Sequence, residues 1–155
     1  MGSVGEDEMT NEPDGFEIGT TQTTHGRTIT EADIVNFAGV SGDFTHLHTD
    51  AEAMADSPMG KRIAHGTLVF SVLTGLLWQS QDPADRERLL AFYGVDKLRF
   101  IEPVFIGDTV HGEIEVVDIE PADHPLASGI VRQAVEVKNQ HDQTVQAAEF
   151  LLLVE

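Results

Sequence analysis

Between Gly66 and Ser80 the chain carries apolar side chains on almost every side of a helix, and such a helix cannot stand alone in water. Leu68, Val69, Phe70, Val72, Leu73, Leu76, Leu77 and Trp78 fall in this segment. Wound as a helix about 22 Å long, they leave no continuous polar face, which predicts burial. Gly66, Ser71, Thr74 and Gly75 are its small residues. They let another element approach the backbone, most simply a sheet packed against it. After Asp82-Pro83 the pattern turns strand-like. Phe92 to Phe100, Asp108 to Ile119, Gly129 to Lys138 and Thr144 to Val154 are the candidate strands, separated by polar or Pro-containing stretches that include Pro121 to Pro125. Val131, Val135 and Val137 alternate with Arg132, Glu136 and Lys138, as in an antiparallel strand with one covered face. Helices first and strands afterwards give an α+β chain, with a curved antiparallel sheet wrapped around one long apolar helix.

Upstream, the Thr-rich stretch Phe16 to Thr28 predicts an irregular strand or hairpin. Thr30 stands where an N-cap belongs, three residues before Asp33, ahead of a short helix with apolar Ile34, Phe37 and Ala38. Gly39 and Gly42 are its expected end. Ser41 to Asp50 reads as an ordered loop, Ala51 to Ala55 as a second short helix capped by Asp50, and Pro58 to Arg62 as a turn. Residues 1–14, acidic and Gly-containing, read as a disordered tail, leaving residues 15–155 as one domain. A chain of 155 residues buries roughly two-thirds of its unfolded surface as a single domain.

Charge narrows the partners. Twenty-seven acids face nine bases, a net charge of −18, which argues against nucleic acid, whose phosphates require Lys and Arg. There is no cysteine, so disulfides and thiolate metal sites are excluded. The N-terminus has neither a basic nor an apolar signal region. Asp7 and Glu8 stand where a myristoylated Gly2 would want basic residues. The longest apolar run, Leu68 to Trp78, is 11 residues, against about 20 for a membrane span. A soluble cytoplasmic protein is expected, and a cytosol of high salt would account for the acidity.

The loop Ser41-Gly42-Asp43-Phe44-Thr45-His46-Leu47-His48-Thr49-Asp50 holds two of the chain's seven histidines and two carboxylates. As a metal site, His46 and His48 would need Asp43 or His65 to complete three firm ligands, and His-x-His in a loop does not guarantee convergence. As an acid–base site, Asp43 and His48 could meet on one water, since imidazole titrates near neutrality and a carboxylate can be tuned toward it. In the ordinary structural role, Asp43 caps a turn and the histidines satisfy backbone groups.

Downstream, Ala64-His65-Gly66 opens the apolar helix. Together with Phe37, Ser41-Gly42-Asp43, Leu47-His48 and Ala51 to Ala55, it resembles the MaoC-like dehydratases, the family of (R)-specific enoyl-CoA hydratases. Leu98 to Val116 is similar to that family's central hairpin, and the resemblance spans about residues 16–154. It implies a hot-dog fold, a homodimer made by joining two sheets, and no cofactor or metal. The implied reaction is reversible hydration of trans-2-enoyl thioesters, carried on CoA or acyl carrier protein, to (R)-3-hydroxyacyl thioesters.

In that correspondence Asp43 and His48 hold and activate the water, and the Gly66 N–H stabilises the enolate oxygen. Thr45-His46 stands where the family commonly has Asn-Pro. Thr45 would then replace the Asn through its hydroxyl, and His46 is expected to face solvent. Thr74 falls where a polar Ser often contacts the dyad, though a threonine there can equally bond back to its own helix. His65 is expected to fix the loop entering the helix. Lys61, Arg62, Lys97 and Arg99 are candidates for the CoA phosphates. The alternatives are a hot-dog acyl-CoA thioesterase and a non-catalytic acyl-thioester-binding subunit, the latter if Thr45-His46 disables the dyad. The charge gives its own expectation. Between about 0.01 M and 1 M salt the Debye length shrinks from about 30 Å to about 3 Å, so the thermal unfolding midpoint should climb steadily with potassium chloride and the dimer should loosen at low salt; a flat midpoint and dimer fraction would count against adaptation to high salt.

Overall fold

Thr30 begins the first helix with a reciprocal cap. In the computed structural model, which describes residues 15–155, its hydroxyl accepts from the Asp33 N–H at 3.2 Å. The Asp33 carboxylate in turn accepts from the Thr30 N–H at 2.9 Å. The tail expected at residues 1–14 lies outside the described residues. Helix α1 (Glu31–Ser41) runs through Gly39 and stops at Gly42, the second of the two glycines expected to end it. The φ of 76° at Gly42 is one that glycine adopts without strain. Two short helices follow, α2 (His46–Thr49) and α3 (Ala51–Ala55), the latter capped by Asp50 as the sequence suggests. The expected loop therefore contains a helical turn. Then come α4 (Gly66–Ser80) and α5 (Pro83–Arg88). Asp82 caps α5 and Pro83 opens it, where the sequence pattern marks only a break before the strands.

All strands are antiparallel. β1 (Thr21–Thr23) and β2 (Arg27–Thr28) each pair with β4 (Thr109–His124) rather than forming a hairpin with each other. β5 (Ala127–Lys138), β6 (Thr144–Val154) and β3 (Leu89–Phe100) complete an open sheet in the order β1-β4-β5-β6-β3. β3 begins at Leu89 rather than Phe92. β4 continues to His124 through Pro121, which falls in a stretch expected to separate strands. Pro121 is tolerated because β1 and β2 cover β4 only up to Glu115, so its missing N–H breaks no ladder among the described residues. Register shifts in β3, β4 and β5 mark bulges of the kind that bend strands.

The sheet closes over α4. Leu68, Val69, Val72, Leu73, Leu76 and Leu77 are buried against Val110 and Ile114 of β4, Val135 and Val137 of β5, and Ala148 and Phe150 of β6. The approach is close at Gly112. A Cβ there would lie 2.7 Å from Leu73 Cδ1. One stripe departs from the expectation of burial all round: Thr67, Ser71, Gly75 and Trp78 are exposed. These are largely the small residues, so the helix has a narrow open face rather than none. No helix among the described residues is long and apolar enough to cross a membrane.

Candidate active site

Two chain turns deliver the site. Beyond Gly42, Ser41 Oγ accepts from the Asp43 N–H at 3.1 Å and donates to the Phe37 carbonyl at 2.8 Å, which fixes where Asp43 leaves α1. Asp43 Oδ1 accepts from the Thr45 N–H at 3.2 Å. That bond holds the Asp43 carboxyl below its ordinary range, with the Thr45 hydroxyl and the neighbouring imidazoles acting in the same direction. The turn of α2 then swings His48 inward and leaves His46 outside. His48 is 6 % exposed and His46 faces solvent.

His48 Nε2 stands 3.4 Å from Asp43 Oδ2. Its Nδ1 lies 2.8 Å from the Ile63 carbonyl. A carbonyl only accepts, so Nδ1 carries the hydrogen, and in the neutral ring Nε2 offers a lone pair toward Asp43. His65 sits under His48, its ring stacked at 3.7 Å with 23° between planes, and Phe37 meets His65 edge-on at 5.0 Å. His65 Nε2 donates to the Asp43 carbonyl at 3.0 Å, while its Nδ1 is buried without a partner. His65 thus grips Asp43's backbone and supports His48's ring.

Asp43, His48 and His65 bring potential metal-ligand atoms within 4.8 Å of one another. Stacked rings, however, aim their in-plane lone pairs along parallel lines. One ion about 2.0–2.1 Å from both nitrogens would sit well out of both ring planes, so the geometry suits acid–base chemistry better than coordination. A second group, His111, Glu113 and Asp142, lies beside Lys138, whose ammonium is 3.1 Å from Glu113 and stands where a cation would bind.

A cavity of about 320 Å³ opens beside the dyad, lined by His48, Gly66, Phe100 and Gln146 among others. Its wall includes the first turn of α4. The Gly66 N–H donates to no protein group among the described residues, as expected at a helix N-terminus without a side-chain cap. His48 and Gly66, with its free N–H, therefore line one pocket, and the Asp43 carboxylate stands 3.4 Å from the imidazole. The profile described as MaoC like domain matches residues 15–144 of the chain.

The chain belongs to the MaoC-like family. It is 37% identical over 97 residues to the (R)-specific enoyl-CoA hydratase of Aeromonas caviae, covering 63% of this chain and 68% of that protein. It is 47% identical over 87 residues to protein MaoC of Klebsiella aerogenes, covering 56% of this chain but only 25% of that longer protein. Among solved structures, the monoamine oxidase regulatory protein from Archaeoglobus fulgius superposes with a TM-score of 0.82 at 39% identity, over 90% of each chain.

Other residues singled out by the sequence of this MaoC-like chain fall in different places. Thr74 does not reach the dyad. Its hydroxyl donates to the Ser71 carbonyl at 2.7 Å, and it lines a separate cavity with Trp78 and Phe92. Arg62 makes a bidentate pair with Glu31 at 2.9 and 2.7 Å, and Lys97 pairs with Glu149 at 2.6 Å. Lys61 lies over the Phe105 ring at 4.4 Å, and Arg99 donates to the Leu98 carbonyl. Neither of these two has an acidic partner among the described residues. Gln146 was missed. Its signal was a polar residue on the inward register of β6, in line with Ala148, Phe150 and Leu152. At Gly66 a Cβ would stand 2.8 Å from Phe100 Cδ1. Gly66→Ala should therefore displace the helix start or the ring, and the misplaced N–H should lower turnover at this pocket by about 100-fold. Steady-state kinetics beside circular dichroism would check this, and an unimpaired rate would remove Gly66 from the site.

Proposed function

We propose that this MaoC-like chain is a hydro-lyase that reversibly hydrates trans-2-enoyl thioesters to (R)-3-hydroxyacyl thioesters. The observation that carries this reading is the pairing of Asp43 Oδ2 with His48 Nε2 at 3.4 Å, where His48 lines the cavity that Gly66 also lines. With the His48 hydrogen committed to the Ile63 carbonyl, Nε2 and the carboxylate are both acceptors. One water can donate an O–H to each. As its oxygen bonds to C3, an O–H bond breaks and the dyad takes the proton. The C3=C2 electrons move onto the thioester carbonyl as an enolate, and a proton passes from the dyad to C2 as the carbonyl reforms. The two groups act on shared protons, so base and acid roles belong to the pair.

The enolate oxygen is placed on the Gly66 N–H, where the start of α4 favours negative charge. Thr45 supports the dyad through its backbone N–H on Asp43, and His65 through its bond to Asp43's carbonyl. Of the four phosphate candidates, Lys61 and Arg99 remain available to a CoA substrate, since Arg62 and Lys97 are engaged with acids. A second copy of the chain fits the outer edge of β3. That edge is unpaired among the described residues and exposes Phe92, Tyr93 and Phe100, beside the open stripe of α4.

Crotonyl-CoA tests the reading directly. Enone absorbance should fall while free thiol stays flat, and the product should be (R)-3-hydroxybutyryl-CoA. Thiol release at a comparable rate would favour the thioesterase, and neither signal would favour a binding subunit. Asp43→Asn and His48→Ala should each slow turnover by roughly 100-fold or more, and the double variant should lose little beyond either. His46→Ala should cost far less. Equal damage from His46→Ala, or from a chelator, would revive the metal reading.

A further inference from the structure

The geometry points to Gln146 as a positioning residue that sets the oxyanion donor, at some expense of stability. This rests on the hydration reading above. Gln146 is 3 % exposed and lies on the covered side of β6, where its neighbours in register, Ala148, Phe150 and Leu152, are apolar. Its Nε2 donates to the Gly66 carbonyl at 2.7 Å. Because a carbonyl cannot donate, this bond fixes which end of the amide is which. Oε1 is left buried with no partner.

A buried amide that merely held the fold together would use both of its ends. Here one end works, and it works on the residue whose N–H is offered to the ligand. The Gly66 carbonyl does not require it, since the regular i to i+4 pattern of α4 already brings that oxygen an N–H from within the helix. Phe100, the direct register partner of Gln146 on β3, brings its ring to within contact of Gly66. Gly66 is therefore located by β6 through Gln146 and by β3 through Phe100. These strands are neighbours in the sheet, so the donor's position is referred to the rigid sheet rather than to the helix end alone. Small displacements of such a donor are felt strongly in the rate.

The test is Gln146→Met, which keeps the length of the side chain and removes both polar ends. The unpartnered oxygen disappears and no new unpaired group is created, so the thermal midpoint should match or exceed that of the wild type. Turnover of crotonyl-CoA should nevertheless drop about tenfold, with KM moving less than about twofold, the pattern of an interaction made in the transition state. A spectroscopic readout separates positioning from stability. In an Asp43→Asn background, the absorption band of bound 2,4-hexadienoyl-CoA should shift to the red through polarisation of its carbonyl, and adding Gln146→Met should reduce that shift. The same comparison with the dienoyl group on a carrier protein should give an equal reduction, since the thioester is common to both carriers. An unchanged kcat and band would overturn the inference. So would a loss of activity that only tracks a loss of folding, including a variant that fails to fold. Absence of crotonyl-CoA hydration by the wild type would instead overturn the proposed reaction, and the band shift would still decide the role of Gln146.

Discussion

Six aliphatic side chains on α4 have to be kept from water, and the strands that cover them determine where everything else in the chain can go. Each such side chain, fully buried, contributes about 1.5–3 kcal/mol. That total exceeds the roughly 1–3 kcal/mol cost of an unpartnered buried polar atom, so the fold can carry Gln146 Oε1 and His65 Nδ1 without losing its core. With α4 pinned against β4, β5 and β6, its N-terminus is fixed in space, and Gly66 with it. The loop from α1 must then cross this point, because Ile63 and Ala64 bond to the Leu47 and Val104 carbonyls just before the helix begins.

The site is made from two histidines that each give one nitrogen to a backbone carbonyl. His48 bonds to Ile63, on the segment leading into α4, and His65 bonds back to Asp43, on the loop leaving α1. These two bonds cross-link the loop that carries Asp43 and His48 to the segment that leads into α4. They also assign the ring hydrogens, which leaves the His48 lone pair facing the carboxylate. The 3.4 Å between the two acceptors is longer than a good hydrogen bond and leaves both lone pairs open to a third group. Stacking of His65 beneath His48 keeps the ring from tilting away. Thr45, in the position that separates this chain from the commoner family pattern, supports Asp43 with its main-chain N–H, a bond that any residue other than proline can make.

Much of this was legible before the structure. The all-round apolar pattern of Gly66 to Ser80 located the central helix, the Thr30 and Asp50 caps located two others, and alternation along Gly129 to Lys138 located a strand. What escaped had physical reasons. One turn of helix at His46–Thr49 is too short to develop a period, and α5 is polar along its length. Pro121 reads as a breaker unless one knows that β4 is uncovered there. The open stripe Thr67, Ser71, Gly75 and Trp78 was hidden because small residues and an aromatic count as compatible with burial on any pattern. At the site, the spacing of Asp43, His48 and Gly66 marked residues that the fold brings together. The stacking of His65 and the link from Gln146 were invisible, since one depends on ring orientation and the other joins residues 80 apart. Thr74, two turns from Gly66, was close along the helix but belongs to a different cavity.

The central claim is that one water, held on one side of the substrate by Asp43 and His48, supplies both the hydroxyl and the proton. Hydration of crotonyl-CoA in deuterium oxide, with the product read by proton NMR after a single conversion, tests it most directly. A single deuterium should appear at C2, on the same face as the new C3 hydroxyl, because acid and base stand together. Deuterium on the opposite face, or spread over both, would contradict a dyad acting from one side.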